Sequence, residues 1–175
     1  MKECEDAEWF ATLAHWSIDQ RRKGTNEPYI YHPMRVAKTI QQFLPNDHNL
    51  IRAAWLHDVV EDTGVDISTI QKHFGDDVSR LVDSVTDYQT PADGNRVRRK
   101  YFYRVKIGHG DSRVKSLKTA DALDNVIGIS SLDPKFAVTY INEIDDLIPF
   151  LEGAEPSLLR KLKTAVAVNK LLAAN

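Results

Sequence analysis

The amino-acid sequence predicts an all-α fold in a single domain that spans residues 1–175. Apolar residues recur at the three- and four-residue spacing of a helix face along most of the chain. Glycine and proline clusters divide the chain into segments of ordinary helix length, and no two segments show the pattern of paired strands. A chain of 175 residues with 42% apolar residues is long enough to bury a substantial core.

The first quarter of the chain predicts two helices joined by an extended segment. Residues 8–22 carry apolar side chains on one helix face. Residues 29–31 are expected to be extended, and His32 to be β or polyproline-like because it precedes Pro33. Pro33 then opens a second helix that runs to about Leu44.

The next helix is expected to lie in the centre of the fold. Asn46 or Asp47 caps it, and it continues to Val60 with apolar residues nearly all round. Gly75 divides the segment that follows into two helices. The remaining helices are predicted over residues 66–73, 76–88, 96–108, 111–129, 134–151 and 156–173, and the longest loop over residues 88–95.

Composition restricts the class of protein. Cys4 is the only cysteine, which excludes an internal disulfide and a thiolate metal cluster. No apolar stretch approaches the roughly 20 residues of a membrane span, and the acidic start of the chain is unlike a signal peptide. We therefore expect a cytoplasmic protein with no membrane partner. The net charge of −2 and the lack of a nucleic-acid motif argue against a nucleic-acid partner.

Residues 88–118 are nevertheless strongly basic, with nine basic residues and two acids. One interpretation is a solvated helix face. The other is a local positive field that attracts an anionic ligand. The sequence pattern alone leaves both open.

The segment from His57 to Asp62 concentrates four ionisable side chains. If the helix continues through it, His57 and Glu61 lie four residues apart on one face, and Asp58 reaches Glu61 and Asp62. Buried carboxylates lose hydration and repel one another, and a divalent cation relieves both costs. The alternative is a helix end whose acids are simply solvated.

Two further places could contribute to a site. His32 lies before a helix-opening proline, although a lone histidine is more often an ordinary core or surface residue. Lys118, Asp121 and Asn125 share one face of an otherwise apolar helix, at i, i+3 and i+7, as the wall of a site would. Neither observation identifies a site by itself.

The order of a histidine, a His-Asp pair and a distant aspartate resembles the HD superfamily of phosphohydrolases. More narrowly, the chain resembles the hydrolase domain of the RelA/SpoT homologue family, especially the stand-alone small alarmone hydrolases. The most specific matches are HDVVEDT at residues 57–63 and Lys118-Thr119-Ala120-Asp121. Further matches are Ala14-His15, Arg22-Lys23, Glu27-Pro28-Tyr29-Ile30-Tyr31-His32-Pro33, Phe74-Gly75 and Val85-Thr86-Asp87. The resemblance implies one HD domain with a metal site between its central helices, and no synthetase domain.

The resemblance also implies roles for individual residues. One Mn²⁺ would be bound by His32, His57, Asp58 and Asp121. This mixed set of imidazoles and carboxylates also suits Fe²⁺ and does not exclude Zn²⁺. Glu61 and Asp62 match the catalytic pair that orients or deprotonates the attacking water. The substrate would be held by Arg22, Lys23 and Asn125, with Lys118, Arg99 and Arg104 as further candidates from the basic segment.

The expected activity is hydrolysis of the 3′-diphosphate of (p)ppGpp, which releases pyrophosphate and GDP or GTP. One alternative is an HD phosphohydrolase of another small-molecule nucleotide: an adenine alarmone, NADPH or a nucleoside phosphate. A second alternative is a non-catalytic nucleotide sensor, which would not need Glu61 and Asp62. Ala122 and Gly128 depart from the family pattern, so the choice between guanine and adenine stays open, as does the oligomeric state.

Overall fold

The structure, a computed structural model, describes residues 2–127, 129 and 134–173. The chain divides into two compact units, Met1–Tyr88 and Gln89–Asn175. Within the described ranges the regular structure is helical, and the only β pairing is an isolated bridge between Arg21 and Pro28. The all-α prediction is confirmed, while the single domain over residues 1–175 stays a prediction. No helix in these ranges is long and apolar enough to cross a membrane.

The first unit is built around its third helix. Its helices are α1 (Lys2–Ser17), α2 (Tyr31–Phe43), α3 (His48–Leu56), α4 (Val59–Asp62) and α5 (Ile67–Val85). Helix α3 packs against α1, α2 and α5, and its Leu50, Ala53 and Leu56 side chains are fully buried. Within the first unit this helix has the central position that the sequence predicted for it, and its apolar contacts hold it in place.

The segment between α1 and α2 differs from the prediction. Helix α1 ends at Ser17 rather than residue 22, and Asp19 follows with a left-handed φ of 45°. Helix α2 begins at Tyr31, so the predicted extended conformation of His32 is wrong. The N–H of His32 donates to the carbonyl of Tyr29, and Pro33 falls in the first turn, where a missing N–H costs no helical hydrogen bond.

The helix predicted to run to Val60 is interrupted. Asp47 caps α3 as expected, and its Oδ1 accepts the N–H of Leu50 at 3.0 Å. The helix then ends at Leu56, and His57 and Asp58 form a turn before the short α4. His57 therefore stands at the C-cap of α3 rather than inside a continuous helix.

Helix α5 joins the two helices predicted on either side of Gly75. Gly75 has a φ of 83° and lies at a kink, as its place between the two predicted helices suggested. The side chain of Asp66 caps the helix by accepting the N–H of Thr69 at 2.7 Å. The helix ends at Val85, three residues before the predicted end.

The second unit follows the predicted order of helices closely. It contains α6 (Arg96–His109), α7 (Ser112–Val126), α8 (Pro134–Leu147) and α9 (Pro156–Ala173). Short 3-10 helices cover Pro91–Asp93 and Ile148–Leu151. Asn95 and Asp111 cap α6 and α7 through their side chains. The predicted end of α7 near residue 129 includes Gly128, which lies outside the described residues.

Candidate metal centre

Three metal-ligand side chains converge in the first unit. His32 comes from the first turn of α2, while His57 and Asp58 come from the turn between α3 and α4. The Nε2 atoms of His32 and His57 lie 3.2 Å apart, and each lies within 3.4 Å of Asp58 Oδ2. The two histidine side chains are 1% and 3% exposed. The turn that interrupts the predicted helix is thus the place where the ligand atoms meet.

Neighbouring groups fix the orientation of these side chains. His57 Nδ1 lies 2.8 Å from the carbonyl oxygen of Ala54, which can only accept, so Nδ1 carries the proton and Nε2 presents its lone pair to the cluster. Tyr29 Oη donates to Asp58 Oδ2 at 2.6 Å. Burial alone would raise the pKa of Asp58, but the positive charges that His57 and His32 carry when they are protonated lower that pKa well below its usual range.

The donor set fits a divalent cation. Two imidazole nitrogens and one carboxylate oxygen all lie within 4.8 Å of one another. Metal-binding imidazoles usually donate their second ring N–H to a carbonyl or carboxylate oxygen, as His57 does to Ala54. Such a set suits Mn²⁺, Fe²⁺ and Zn²⁺ alike. The structure therefore brings His32, His57 and Asp58 together, as the sequence predicted.

Glu61 and Asp62 follow on α4, and both are exposed. Glu61 Oε2 accepts the backbone N–H of Asp87 at 2.9 Å, and Asp62 Oδ2 accepts from Gln20 Nε2 at 2.8 Å. Although the side chain of Asp62 is largely open to solvent, the loss of hydration on the side that faces the cluster and the negative charge of Asp58 raise its pKa. The predicted catalytic pair therefore lies one turn beyond Asp58, with each carboxylate held by a hydrogen bond.

Three residues around this cluster had no role assigned from the sequence: His15, Gln20 and Tyr29. His15 is 2% exposed, and its Nδ1 lies 2.6 Å from Gln20 Oε1. Its ring also packs against Tyr29, with the ring centroids 4.8 Å apart. Ala14-His15 and Tyr29 lie inside the stretches that resemble the family, which was the available signal. The hydrogen bonds from Gln20 to Asp62 and from Tyr29 to Asp58 join residues far apart in sequence, so they gave no local pattern.

Arg22 and Lys23 lie in a compact loop before α2. The loop is closed by the N–H of Arg22, which donates to the carbonyl of Glu27, and Gly24 adopts a φ of 89°. The guanidinium carbon of Arg22 lies 5.9 Å from the ring centroid of Tyr29. Because Tyr29 binds Asp58, this contact places Arg22 in the surroundings of the cluster, while Lys23 is exposed.

Asp121 lies on α7 in the second unit and is 6% exposed. Lys118 Nζ donates to its Oδ2 at 2.7 Å, and Asn125 Nδ2 donates to its Oδ1 at 2.6 Å. Burial would lower the pKa of Lys118, yet Asp121 and nearby tyrosines hold it well above its usual value. The polar stripe predicted for Lys118, Asp121 and Asn125 is real, and the role of Asp121 as a metal ligand stays a prediction.

The basic segment on α6 is partly neutralised by acids of α8. Arg96 binds Glu143 through two hydrogen bonds of 2.5 and 2.8 Å, and Arg104 binds Asp146 at 2.7 Å. Arg99 is half-buried, and its Nε has no hydrogen-bond partner within the described part of the chain. These ion pairs weaken the local positive field that was one of the two interpretations of the basic segment. The substrate contacts of Arg99 and Arg104 stay predictions.

The fold and the histidine–aspartate cluster together define the class of the protein. The HD domain family matches residues 8–147, and the chain belongs to that family. Within it, the chain is 36% identical over 128 residues to human guanosine-3′,5′-bis(diphosphate) 3′-pyrophosphohydrolase MESH1, covering 72% of this chain and 69% of the relative. The resemblance to alarmone hydrolases noted in the sequence is confirmed.

Longer bacterial proteins and a solved structure give similar matches. A guanosine-3′,5′-bis(diphosphate) 3′-pyrophosphohydrolase from Aquifex aeolicus is 38% identical over 125 residues, or 71% of this chain. The chain spans only 17% of that protein and of a Synechocystis relative named as a probable enzyme of this kind. A structure described as a metazoan ortholog of SpoT that hydrolyzes ppGpp matches with a TM-score of 0.86 and 28% identity, covering 98% of this chain and 97% of that one.

Proposed function

We propose that this protein is a metal-dependent hydrolase that removes the 3′-diphosphate of (p)ppGpp and releases pyrophosphate and GDP or GTP. The observation that carries the proposal is the cluster of His32, His57 and Asp58, with the acids Glu61 and Asp62 one turn beyond it. The names of the relatives, from human MESH1 to the Aquifex enzyme, support this substrate.

The resident metal is proposed to be Mn²⁺. Its ligands would be His32, His57 and Asp58, with Asp121 assigned as a further ligand from the sequence resemblance. A bound divalent cation would lower the pKa of a water molecule and polarise a phosphoryl oxygen. Tyr29 supports the site through its hydrogen bond to Asp58.

Glu61 is proposed as the general base that accepts a proton from the attacking water. The N–H of Asp87 donates to one oxygen of Glu61 and so helps to orient the carboxylate beside the cluster. Asp62, one position further on, would orient the same water. Water would attack the phosphorus beside the ribose 3′-oxygen, and that oxygen would leave with the nucleotide.

Positive side chains would hold the two diphosphates. Arg22 and Lys23 are the candidates in the first unit, and charge-assisted contacts of this kind add about 1.5–3 kcal/mol each. The further candidates are the positive side chains of Lys118, Arg99 and Arg104 and the neutral amide of Asn125. The proposed partner is therefore a small nucleotide in the cytoplasm, with no nucleic acid or membrane involved.

Other nucleotides are the competing substrates, and one panel assay separates them. The Mn²⁺-loaded protein would be incubated with ppGpp, its adenine counterpart, NADPH and ordinary nucleoside triphosphates. We expect release of pyrophosphate from ppGpp at the highest kcat/KM. His57→Ala should lose both bound Mn²⁺ and turnover, whereas His109→Ala, an exposed histidine on α6, should keep both.

Two results would contradict the proposal. Preferred turnover of another nucleotide would replace the substrate and leave the hydrolase class intact. Tight binding of ppGpp with no turnover of any compound would instead identify a sensor. Full Mn²⁺ content in His57→Ala would remove that residue from the ligand set.

A further inference from the structure

A series of hydrogen-bonded side chains connects the interior of the first unit to Asp62. Asp62 Oδ2 accepts from Gln20 Nε2 at 2.8 Å, and Gln20 Oε1 lies 2.6 Å from His15 Nδ1. Gln20 and Asp62 are 42 positions apart in the sequence. His15 is buried in α1, Gln20 is half-buried, and Asp62 is exposed. These hydrogen bonds thus connect a buried side chain to an exposed one.

We propose that His15 and Gln20 are positioning residues that hold the carboxylate of Asp62 in its reactive orientation. This inference rests on the proposed hydrolase function. Neither residue contacts substrate in the proposed mechanism, and both act through Asp62.

The direction of the hydrogen bonds follows from chemistry. An ionised Asp62 can only accept, so the amide of Gln20 must turn its NH₂ group towards Asp62. The carbonyl oxygen of Gln20 then faces His15, and the Nδ1 atom of His15 must carry a proton. This arrangement assigns the Nδ1–H tautomer to a neutral His15.

Packing explains why His15 can hold Gln20, and through it Asp62, in place. Its side chain is 2% exposed, and its ring stacks at a tilt against Tyr29 at 4.8 Å between centroids. Tyr29 in turn donates to Asp58, and its backbone N–H donates to the carbonyl of Gln20. One buried anchor therefore restrains both the loop that carries Gln20 and the surroundings of the metal centre. Asp62 also has a side-chain hydrogen bond with Tyr29, so loss of Gln20 would remove one of two restraints on its rotamer.

Kinetics of variants test the proposal against a merely structural role. Gln20→Ala should lower kcat about ten-fold or more with KM within about two-fold, because misplacement of a group near the reacting atoms acts on the chemical step. Gln20→Glu keeps the acceptor for His15 but sets a carboxylate against Asp62, so it should lose at least as much. Gln71→Ala removes a surface Gln–Asp bond of 2.9 Å to Asp76 and serves as the matched control.

Substitutions of His15 test whether a conservative replacement retains kcat. His15→Asn offers an amide N–H where Nδ1–H stood, so it should retain more kcat than His15→Leu at equal Mn²⁺ content. A role in folding alone predicts that kcat per folded, metal-loaded molecule is unchanged in every variant. Unchanged kcat in Gln20→Ala would overturn the proposal.

A spectroscopic measurement separates this inference from the proposed function. Long-range ¹H–¹⁵N spectra of the metal-free protein report the tautomer of His15 without any substrate. We expect the Nδ1–H form in the parent protein. An Nε2–H form would refute the proposed hydrogen bond from His15 Nδ1–H to Gln20, even in an active hydrolase. An Nδ1–H form in a protein inactive on every nucleotide would leave that hydrogen bond standing and refute the proposed function.

Discussion

Lys118 offers a quantitative test of the role of Asp121. The Lys118 side chain is 18% exposed and that of Asp121 is 8% exposed, and their charged atoms lie 2.7 Å apart. Removing one partner of a buried ion pair costs about 3–5 kcal/mol. Asn125 still donates to Asp121 in Lys118→Met, so we expect the lower end, about 3 kcal/mol. For a protein of this size that lowers Tm by roughly 6–12 °C.

Addition of metal makes the same variant informative about ligation. If Asp121 binds Mn²⁺, the cation supplies the positive charge that Lys118→Met lacks. The difference in Tm between parent and variant should then shrink when Mn²⁺ replaces EDTA in scanning calorimetry. By thermodynamic linkage, the variant should then bind Mn²⁺ more tightly than the parent. The gain in binding free energy, measured by titration calorimetry, should equal the stability difference that Mn²⁺ removes.

A matched control and a clear negative result complete the test. Lys163→Met breaks an ion pair with Glu152 of similar length, 2.8 Å, whose side chains are 46% and 63% exposed. That change should cost about 0–1 kcal/mol and should not respond to Mn²⁺. An equal loss of Tm in Lys118→Met with and without Mn²⁺, at unchanged affinity, would refute Asp121 as a ligand.

Further predictions concern the catalytic pair, the substrate loop and the central helix. Glu61→Gln should keep Mn²⁺ and KM but lose about 10²-fold or more in kcat, since it removes the base; loss within a few-fold would exclude Glu61. The pKa of Asp62 is raised in the fold, so its ionised form is disfavoured there, and Asp62→Asn should raise the Tm of metal-free protein at neutral pH. That gain in Tm should fade as the pH falls from the raised pKa of Asp62 in the folded protein towards its ordinary pKa of 3.8. A gain in Tm that persists in acid would show that the pKa of Asp62 is not raised by folding. Arg22→Ala and Lys23→Ala should raise KM for ppGpp far more than for p-nitrophenyl phosphate, and equal effects on both would remove them as diphosphate contacts. Asp47→Ala should lower stability by about 1 kcal/mol in chemical denaturation, and no change would show that the cap is dispensable.

The order and type of the helices were predictable because their signals are local. Gly75 marks a break and Asp47 a helix start through their own backbone preferences, and each acts where the sequence placed it. The boundaries around His32 were not predictable. The rule that proline disfavours helix in the preceding residue was overridden by a turn in which the His32 N–H binds Tyr29.

The candidate site shows a similar division. The ligand types and their spacing in His32, His57 and Asp58 follow from the resemblance, and the structure brings these three together. The partner that orients Asp58 was not predictable, because Tyr29 lies 29 positions away in the sequence. Hydrogen bonds over such separations leave no periodic trace in one sequence.

The turn at His57 explains how a helix end becomes a site. In a continuous helix the carbonyl of Ala54 accepts the N–H of Asp58. Here the His57 imidazole donates to that carbonyl at 2.8 Å, so the side chain binds a group that helix termini leave without a partner. The same bond fixes the proton on Nδ1 and turns Nε2 towards His32 and Asp58. One hydrogen bond therefore both satisfies the end of α3 and prepares a metal ligand, which is why an aliphatic residue at position 57 would lose the site and weaken the helix end together.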